Sequence, residues 1–328
     1  MMSSIEQQLQ QGVKAHVNGN LRAAESAYRA VLALDPENAT AHNNLGFIYG
    51  QQQRWDDALL HLRTALEKDP RSSMAHSNLG QVLAAQGCWR DGLEHLEKAV
   101  ALNPDNAQAW ENLGRICLLA GNAERAEYAW ERALKLGDRP PAQLLVKLGT
   151  AVAAQQRFEE ALNCYRRALE FEPDNADAWA QIGIARLLRK DYGSSQDALR
   201  RALALRPDDA GVMKHLGMLA VARGDTADGM DWYRAALERA PRDAELRLEV
   251  AVLRLSRGQA EQALAELDGL LDAGLNNEKA DYYRGLALRE LGQYDEARRQ
   301  LHQVVESGGH YAERAAALLD QEASTRAG

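Results

Sequence analysis

A glycine that returns about every 34 residues constrains this 328-residue chain more than any other feature of its sequence. Equivalent places in nine successive blocks hold eight glycines and one alanine, and only one interval is 35 instead of 34. These residues are Gly12, Gly46, Gly80, Gly114, Gly149, Gly183, Gly217, Ala251 and Gly285. Such a period is typical of a repeat protein, in which each unit packs against its neighbours.

Every block also carries a pattern that predicts two helices. If position 1 is Ala39 in the second block, the glycine is position 8, and position 20 is Ala, Gly or Ser in all nine blocks. Apolar residues at positions 7, 11, 24 and 27, such as Leu45 and Leu62, follow helical spacing. Two helices approach closely only where side chains are small, because overpacking costs about 1–3 kcal/mol. The pattern therefore predicts a helical hairpin in every block.

Prolines at position 32 mark the boundaries between most blocks. They are Pro36, Pro70, Pro104, Pro173, Pro207 and Pro241. Proline cannot continue a helix interior, so the second helix of each block should end before it. The polar residues that follow, such as Asn106 and Asn175, are suitable caps for the next helix.

The Leu-Gly pair at positions 7 and 8, the alanines at positions 20 and 27 and the proline at position 32 resemble the tetratricopeptide repeat over nearly the whole chain. The resemblance implies an all-α fold: a right-handed α-solenoid of about nine helical hairpins plus a C-terminal capping helix, forming one solenoid over residues 1–328. The expected repeats are 5–38, 39–72, 73–106, 107–140, 142–175, 176–209, 210–243, 244–277 and 278–311. We expect the capping helix at about 311–323, a frayed tail after it, and a bend at 137–141, where one residue is inserted.

Composition limits the classes of function. The formal net charge of −8 argues against general nucleic-acid binding, which usually requires a basic face. The sequence has no apolar run long enough to span a membrane, and its beginning lacks the pattern of a secretory signal. Its three cysteines form no C-x-x-C motif, which suits a reducing compartment. We therefore expect a cytoplasmic protein with no nucleic-acid partner and no membrane insertion.

No sequence motif indicates chemistry. A phosphate-binding glycine loop, an H-E-x-x-H pair and a nucleophile elbow are all absent from the sequence, so we expect neither catalysis nor a cofactor. His42 and His76 lie 34 residues apart, as do His61 and His95, which predicts that each pair stacks on adjacent hairpins. A metal site would need further ligands, so we interpret the histidines as structural.

Residues at positions 2, 5, 6, 9 and 12 of the first helices should face the concave side of the solenoid. In the second to fourth repeats the candidate peptide-binding residues are Asn43, Asn44, Asn78, Gln81, Asn112 and Arg115. Asn44, Asn78 and Asn112 share position 6 and should lie about 8–10 Å apart, and an asparagine amide can donate to and accept from a peptide backbone. The row is similar to the asparagine ladder of O-linked N-acetylglucosamine transferases. A row of merely solvated asparagines is the alternative.

The same face turns apolar in the seventh and eighth repeats. Met218, Val221, Val252 and Leu255 are candidate anchors for a partner's helix, provided that they are exposed together. Lys214 is a further candidate, because chaperone-binding members of the family carry a lysine at its position. Those members have asparagine at position 9, where this chain has Met218, so an acidic chaperone tail is not expected to bind.

The expected function is a protein-interaction scaffold or adaptor that binds a peptide or helical segment of a protein partner in the concave groove, without catalysis. One alternative is an accessory subunit that presents substrates to a separately encoded transferase or to a polysaccharide or pilus assembly machine. Another is a self-assembling structural scaffold, which would make the protein a homo-oligomer.

Overall fold

The computed structural model describes residues 3–137, 141–272, 274 and 277–327, and all regular structure within those ranges is helical. The chain divides into two compact units, Met1–Gln181 and Ile182–Gly328. We call them unit 1 and unit 2 and describe each by itself. None of the described helices combines the length and the apolar character that crossing a membrane requires.

The described residues of unit 1 form ten complete helices. They are α1 (Ser4–Val17), α2 (Leu21–Leu34), α3 (Ala39–Gln51), α4 (Trp55–Lys68), α5 (Ser73–Ala85), α6 (Trp89–Leu102), α7 (Ala107–Leu119), α8 (Ala123–Lys135), α9 (Ala142–Ala154) and α10 (Phe158–Phe171). Helix α11 (Ala176–Leu188) begins in unit 1 and ends in unit 2.

Unit 2 continues the alternation of helices and short turns. Its further helices are α12 (Tyr192–Leu205), α13 (Ala210–Ala222), α14 (Thr226–Arg239), α15 (Ala244–Ser256), α16 (Ala260–Asp272), α17 (Glu278–Glu290), α18 (Tyr294–Ser307) and α19 (Ala312–Ala327).

The described helices form nine successive hairpins followed by α19, which confirms the predicted all-α solenoid with its capping helix. Helix α19 ends at Ala327, so it runs beyond the predicted end at 323 and through most of the expected tail. The predicted bend at 137–141 falls mainly on residues 138–140, which lie outside the described residues.

The closest approach of the two helices in a hairpin lies at the recurring glycine. A Cβ atom added to Gly80 on α5 would lie 2.7 Å from the carbonyl oxygen of Gly92 on α6, and one added to Gly92 would lie 2.8 Å from that of Gly80. In other hairpins the added atom would meet the side chain at position 24, as at Gly114, where it would lie 2.6 Å from Trp130 Nε1. The small residues therefore allow backbone to pack on backbone.

Ring nitrogens at position 4 link each of four hairpins to the proline before it. Trp110 Nε1 donates to the carbonyl oxygen of Pro104 at 2.7 Å, and Trp179 Nε1 donates to that of Pro173 at 2.9 Å. His42 Nε2 and His76 Nε2 make the same contact with Pro36 and Pro70. The proline thus ends one helix while its carbonyl holds the next helix in place.

The predicted caps are confirmed. The side chain of Asn106 accepts a hydrogen bond from the amide of Ala109 at 3.1 Å, and that of Asn175 accepts one from the amide of Ala178 at 2.9 Å. Each bond satisfies an amide that the first turn of a helix would otherwise leave unpaired. The link between hairpins therefore combines the proline with this cap.

The four histidines pair within hairpins and not between them, which corrects the predicted pairing. His42 Nδ1 lies 2.8 Å from His61 Nδ1, and His76 Nδ1 lies 2.9 Å from His95 Nδ1. Because the proline carbonyl can only accept, the contact assigns a proton to Nε2 of His42, and in this tautomer Nδ1 of His42 accepts from Nδ1–H of His61. The antiparallel helices bring positions 4 and 23 face to face, a separation of 19 residues that the period of 34 does not reveal.

We expect Gly80→Ala to lower the free energy of unfolding by about 1–3 kcal/mol, because the added methyl group forces α5 and α6 apart. The matched control is Gly193→Ala on α12, where no atom lies within 4 Å of the added Cβ. That change should be neutral or stabilising by up to about 1 kcal/mol. Chemical denaturation followed by circular dichroism measures both, and equal effects at the two sites would contradict this account of the glycine period.

We expect a His61→Gln, His95→Gln double variant to lose less thermal stability than the wild type when the pH falls from 7.5 to 5.5. Burial lowers the pKa of His61 and of His95. Each neutral ring therefore favours the folded state above the unfolded pKa of about 6.5, and this stabilisation is lost as the pH falls below that value.

Melting temperatures at the two pH values test this expectation. The exposed His302 on α18 provides the control variant His302→Gln, whose pH dependence should match that of the wild type. If the melting temperature of the double variant depends on pH as that of the wild type does, the histidine pairs do not cause this dependence.

Candidate functional site

The first helices of three successive hairpins in unit 1 line an open pocket of about 200 Å³. It is lined by Phe47, Gly50 and Gln51 of α3, Trp55 of α4, Asn78, Gln81, Val82 and Ala85 of α5, and Arg115 of α7. We call it the groove pocket. It brings together three of the candidate residues from the sequence, namely Asn78, Gln81 and Arg115.

Position 9 of the repeat supplies one side chain from each of the three helices. Phe47, Gln81 and Arg115 all hold this position. A helix turns about 100° per residue, so position 9 points away from the inward positions 7 and 11. Consecutive repeats therefore place an aromatic ring, an amide and a guanidinium side by side along one surface.

Arg115 is the only charged residue among those that line the groove pocket. Among the described residues, no carboxylate forms an ion pair with its guanidinium, although the structure contains many surface ion pairs elsewhere. Partial desolvation by the surrounding protein lowers the pKa of Arg115, while its side chain still reaches solvent. The pocket therefore combines apolar walls with one uncompensated positive charge.

The asparagine row is engaged in hydrogen bonds inside the protein. The side chain at position 6 of one repeat donates to the side chain at position 5 of the repeat before it. These bonds join Asn78 to Asn43, Asn112 to Ser77, and Lys147 to Glu111, at 2.9, 3.0 and 3.2 Å. Successive first helices are thus connected by a regular polar contact.

This use limits what the asparagines can offer to a ligand. Asn43 and Asn112 are each 5% exposed. Asn44 accepts a hydrogen bond from Asn43 at 3.1 Å. Asn44 also forms a hydrogen bond with the hydroxyl of Tyr28; burial raises the pKa of Tyr28, and this bond to Asn44 lowers it in part. Asn43 and Asn112 are therefore used inside the protein, whereas Asn44 and Asn78 are half-buried. The signal in the sequence was a polar pair separated by one period plus one residue.

The apolar candidates of unit 2 do not form a shared surface. Leu255 is 6% exposed and packs in a core cluster with Leu248 and Leu267, and the half-buried Val252 packs against the same cluster. The half-buried Val221 lies against Gly229 of α14, where an added Cβ would be 2.6 Å from Val221 Cγ2.

Val221 at position 12 therefore faces the partner helix of its own hairpin, and Leu255 at the same position of the next repeat is buried in a core cluster. Met218 alone of the four is exposed, at 38%. The candidate Lys214 is occupied by an ion pair with Glu245 at 2.7 Å. These residues do not offer the joint apolar anchor that the sequence suggested.

The chain matches a family of known repeats along most of its length. The sequence model described as tetratricopeptide repeat matches residues 10–70, 48–89, 81–142, 189–244, 216–278 and 248–312. A second model, described as TPR repeat, matches residues 149–189. No curated protein matches the chain significantly.

Solved structures with the same fold come from varied proteins. A tetratricopeptide repeat protein from Parabacteroides merdae is 14% identical, with 76% of this chain and 98% of that chain covered and a TM-score of 0.60. The APC/C hetero-tetramer Cut9-Hcn1 is 14% identical over 88% of this chain and 57% of that chain, with a TM-score of 0.62. Pseudomonas aeruginosa pilF is 21% identical over 62% and 92%, with a TM-score of 0.54. At these identities the likeness is one of fold.

We expect Asn112→Ala to destabilise the protein by about 1–3 kcal/mol, because it leaves the buried hydroxyl of Ser77 without this partner. The control is Asn163→Ala on the exposed side of α10, which should change the free energy of unfolding by no more than about 0.5 kcal/mol. Thermal and chemical unfolding measure both. If Asn112→Ala is as stable as the control, the position 5 to position 6 contact contributes nothing to folding.

Proposed function

Because the chain belongs to the tetratricopeptide repeat family, we propose that it is a protein-interaction scaffold whose groove pocket receives an extended peptide segment of a protein partner. Repeats of this kind generally serve such roles through the extended surfaces that their stacking creates. The observation that carries the proposal is the convergence of position 9 side chains from α3, α5 and α7 on one pocket.

The pocket can hold a peptide through two kinds of contact. The ring of Phe47, with Trp55 and Val82, forms walls for an apolar side chain, and burying such a side chain contributes about 1.5–3 kcal/mol. Gln81 has no hydrogen-bond partner among the described residues, so its amide can both donate to and accept from a peptide backbone. An extended segment can therefore place one apolar side chain against these walls while its backbone forms hydrogen bonds with the amide of Gln81.

The asparagine row enters this proposal in a changed role. Its amides connect neighbouring repeats and so hold the first helices at the spacing that forms the pocket. Asn78 contributes to both, because it lines the pocket and also bonds to Asn43. An accessory subunit that presents substrates to a transferase or an assembly machine would need an open row of asparagines, so the internal bonds of Asn43 and Asn112 favour the simpler scaffold.

We expect two variants of the groove pocket to weaken binding of the natural partner by about ten-fold or more. Phe47→Ala with Gln81→Ala removes an apolar wall and the free amide, and a loss of 1.4 kcal/mol corresponds to ten-fold in affinity. Ala85→Trp instead fills the pocket from an exposed position without removing any contact.

The measurement is quantitative capture from extracts of the source organism, followed by titration of the partner that the wild type retains. Leu60→Ala is the control, because Leu60 is an apolar side chain of α4 that is 63% exposed and lies outside the pocket. Circular dichroism verifies that each variant is folded. A partner that binds all variants equally would place its interface elsewhere on the protein.

A further inference from the structure

The uncompensated charge of Arg115 distinguishes the groove pocket from the rest of the first-helix face of unit 1. The nearest charged residues of that face at positions 5 and 6, Glu111 and Lys147, pair with each other at 3.2 Å. Arg115 faces Phe47, Gln81 and Val82 across a pocket lined by no acidic residue. Glu111, one turn before Arg115 on α7, is already paired with Lys147, so no carboxylate of the pocket lining offsets the charge of Arg115.

A charged group in apolar surroundings gains most from a partner of opposite charge. Arg115 is an exposed residue, but the protein around its guanidinium removes part of the hydration, which is the reason for its lowered pKa. A carboxylate can restore this lost solvation through two parallel hydrogen bonds, because the planar guanidinium matches the geometry of its two oxygens. Arg115 is therefore prepared for a carboxylate that the described part of the chain does not supply.

We propose that the groove pocket selects an internal peptide segment in which an Asp or Glu side chain, bound by Arg115, lies close to a bulky apolar side chain seated against Phe47 and Trp55. This inference rests on the proposed function and specifies its ligand. An extended peptide advances about 3.3 Å per residue, and both sites open on one pocket, so the two side chains should be about two to four residues apart.

The placement of the pocket favours an internal segment over a chain terminus. The row of position 9 residues continues to the exposed Val13 on α1 and to the half-buried Thr150 on α9. The groove pocket thus lies in the middle of this row in unit 1, with further position 9 side chains on either side. A peptide can leave the pocket in both directions, and its carboxylate is then that of a side chain.

The test is selection of 12-residue peptides from a random library displayed within a carrier protein, so that every peptide is internal. Full-length wild type, Arg115→Gln and Arg115→Glu are compared, with Arg63→Gln as the matched control. Arg63 is an exposed arginine of α4 that does not line the pocket. We expect wild type and Arg63→Gln to enrich an acidic residue two to four positions from an aromatic or large aliphatic one. Arg115→Gln should lose this enrichment, and Arg115→Glu should replace the acid with Lys or Arg.

Affinities of one selected peptide and its Glu→Gln or Asp→Asn form then complete a double-mutant cycle. We expect the acidic peptide to bind Arg115→Gln about ten-fold or more weakly than the wild type, since hydrogen bonds to charged groups are the stronger ones. The neutral peptide should bind both proteins alike. Independent effects of the two changes would overturn the pairing with Arg115.

The possible failures are distinguishable. If selected peptides bind the wild type but not Ala85→Trp and yet show no preference for an acidic residue, that result supports the scaffold function and contradicts the proposed ligand class. If no selected peptide depends on the groove pocket, the proposed function falls with it. A preference for a free C-terminal carboxylate, measured with synthetic peptides of matched sequence, would overturn the assignment to an internal segment.

Discussion

The contact between two helix backbones at positions 8 and 20 is the constraint on which the rest of the structure depends. Gly80 and Gly92 show it most directly, because each backbone carbonyl oxygen occupies the space that a Cβ on the other residue would need. A glycine inside a helix costs about 1 kcal/mol of helix stability, so its repetition has to be offset by what the close approach allows. The close approach packs position 7 and position 24 side chains such as Leu79 and Leu96 into the core, where both are almost fully buried.

The contact at positions 8 and 20 holds the two helices of one hairpin together, but it does not determine how neighbouring hairpins pack. Two regular contacts fix it in unit 1: the position 4 ring that donates to the preceding proline carbonyl, and the position 6 side chain that donates to position 5 of the repeat before. The second contact includes the buried bond between Asn112 and Ser77, whose polar groups would cost about 1–3 kcal/mol if left unpaired. These contacts use positions 4, 5 and 6 and leave the position 9 side chains of α3, α5 and α7 free to line the groove pocket. The proposed binding site therefore uses a position that these two contacts between hairpins do not require.

The sequence predicted the fold because its signals act locally. A proline ends a helix, an Asn caps the next and a glycine permits contact wherever they occur, so the period of 34 was enough to place the hairpins. The candidate site was predicted only in part, since Gln81 and Arg115 line the groove pocket while Asn112 and Leu255 are buried. Positions within a repeat do not show which residues of neighbouring helices meet. The pairs His42–His61 and Asn78–Asn43 are separated by 19 and 35 residues, and neither separation equals the period.

Arg115 shows how a repeat protein can acquire selectivity without disturbing its frame. At position 9 the side chain contributes little to the core, so Phe, Gln and Arg can follow one another in successive repeats without changing the hairpins that carry them. Arg115 lies beside apolar walls and forms no ion pair with a carboxylate among the described residues. An acidic ligand therefore stabilises its charge more than it would stabilise that of a fully hydrated arginine. At positions 5 and 6 a charge can instead meet a side chain of the neighbouring repeat, as Lys147 meets Glu111. The register of the side chain within the repeat, and not the charge alone, therefore determines whether it can serve binding.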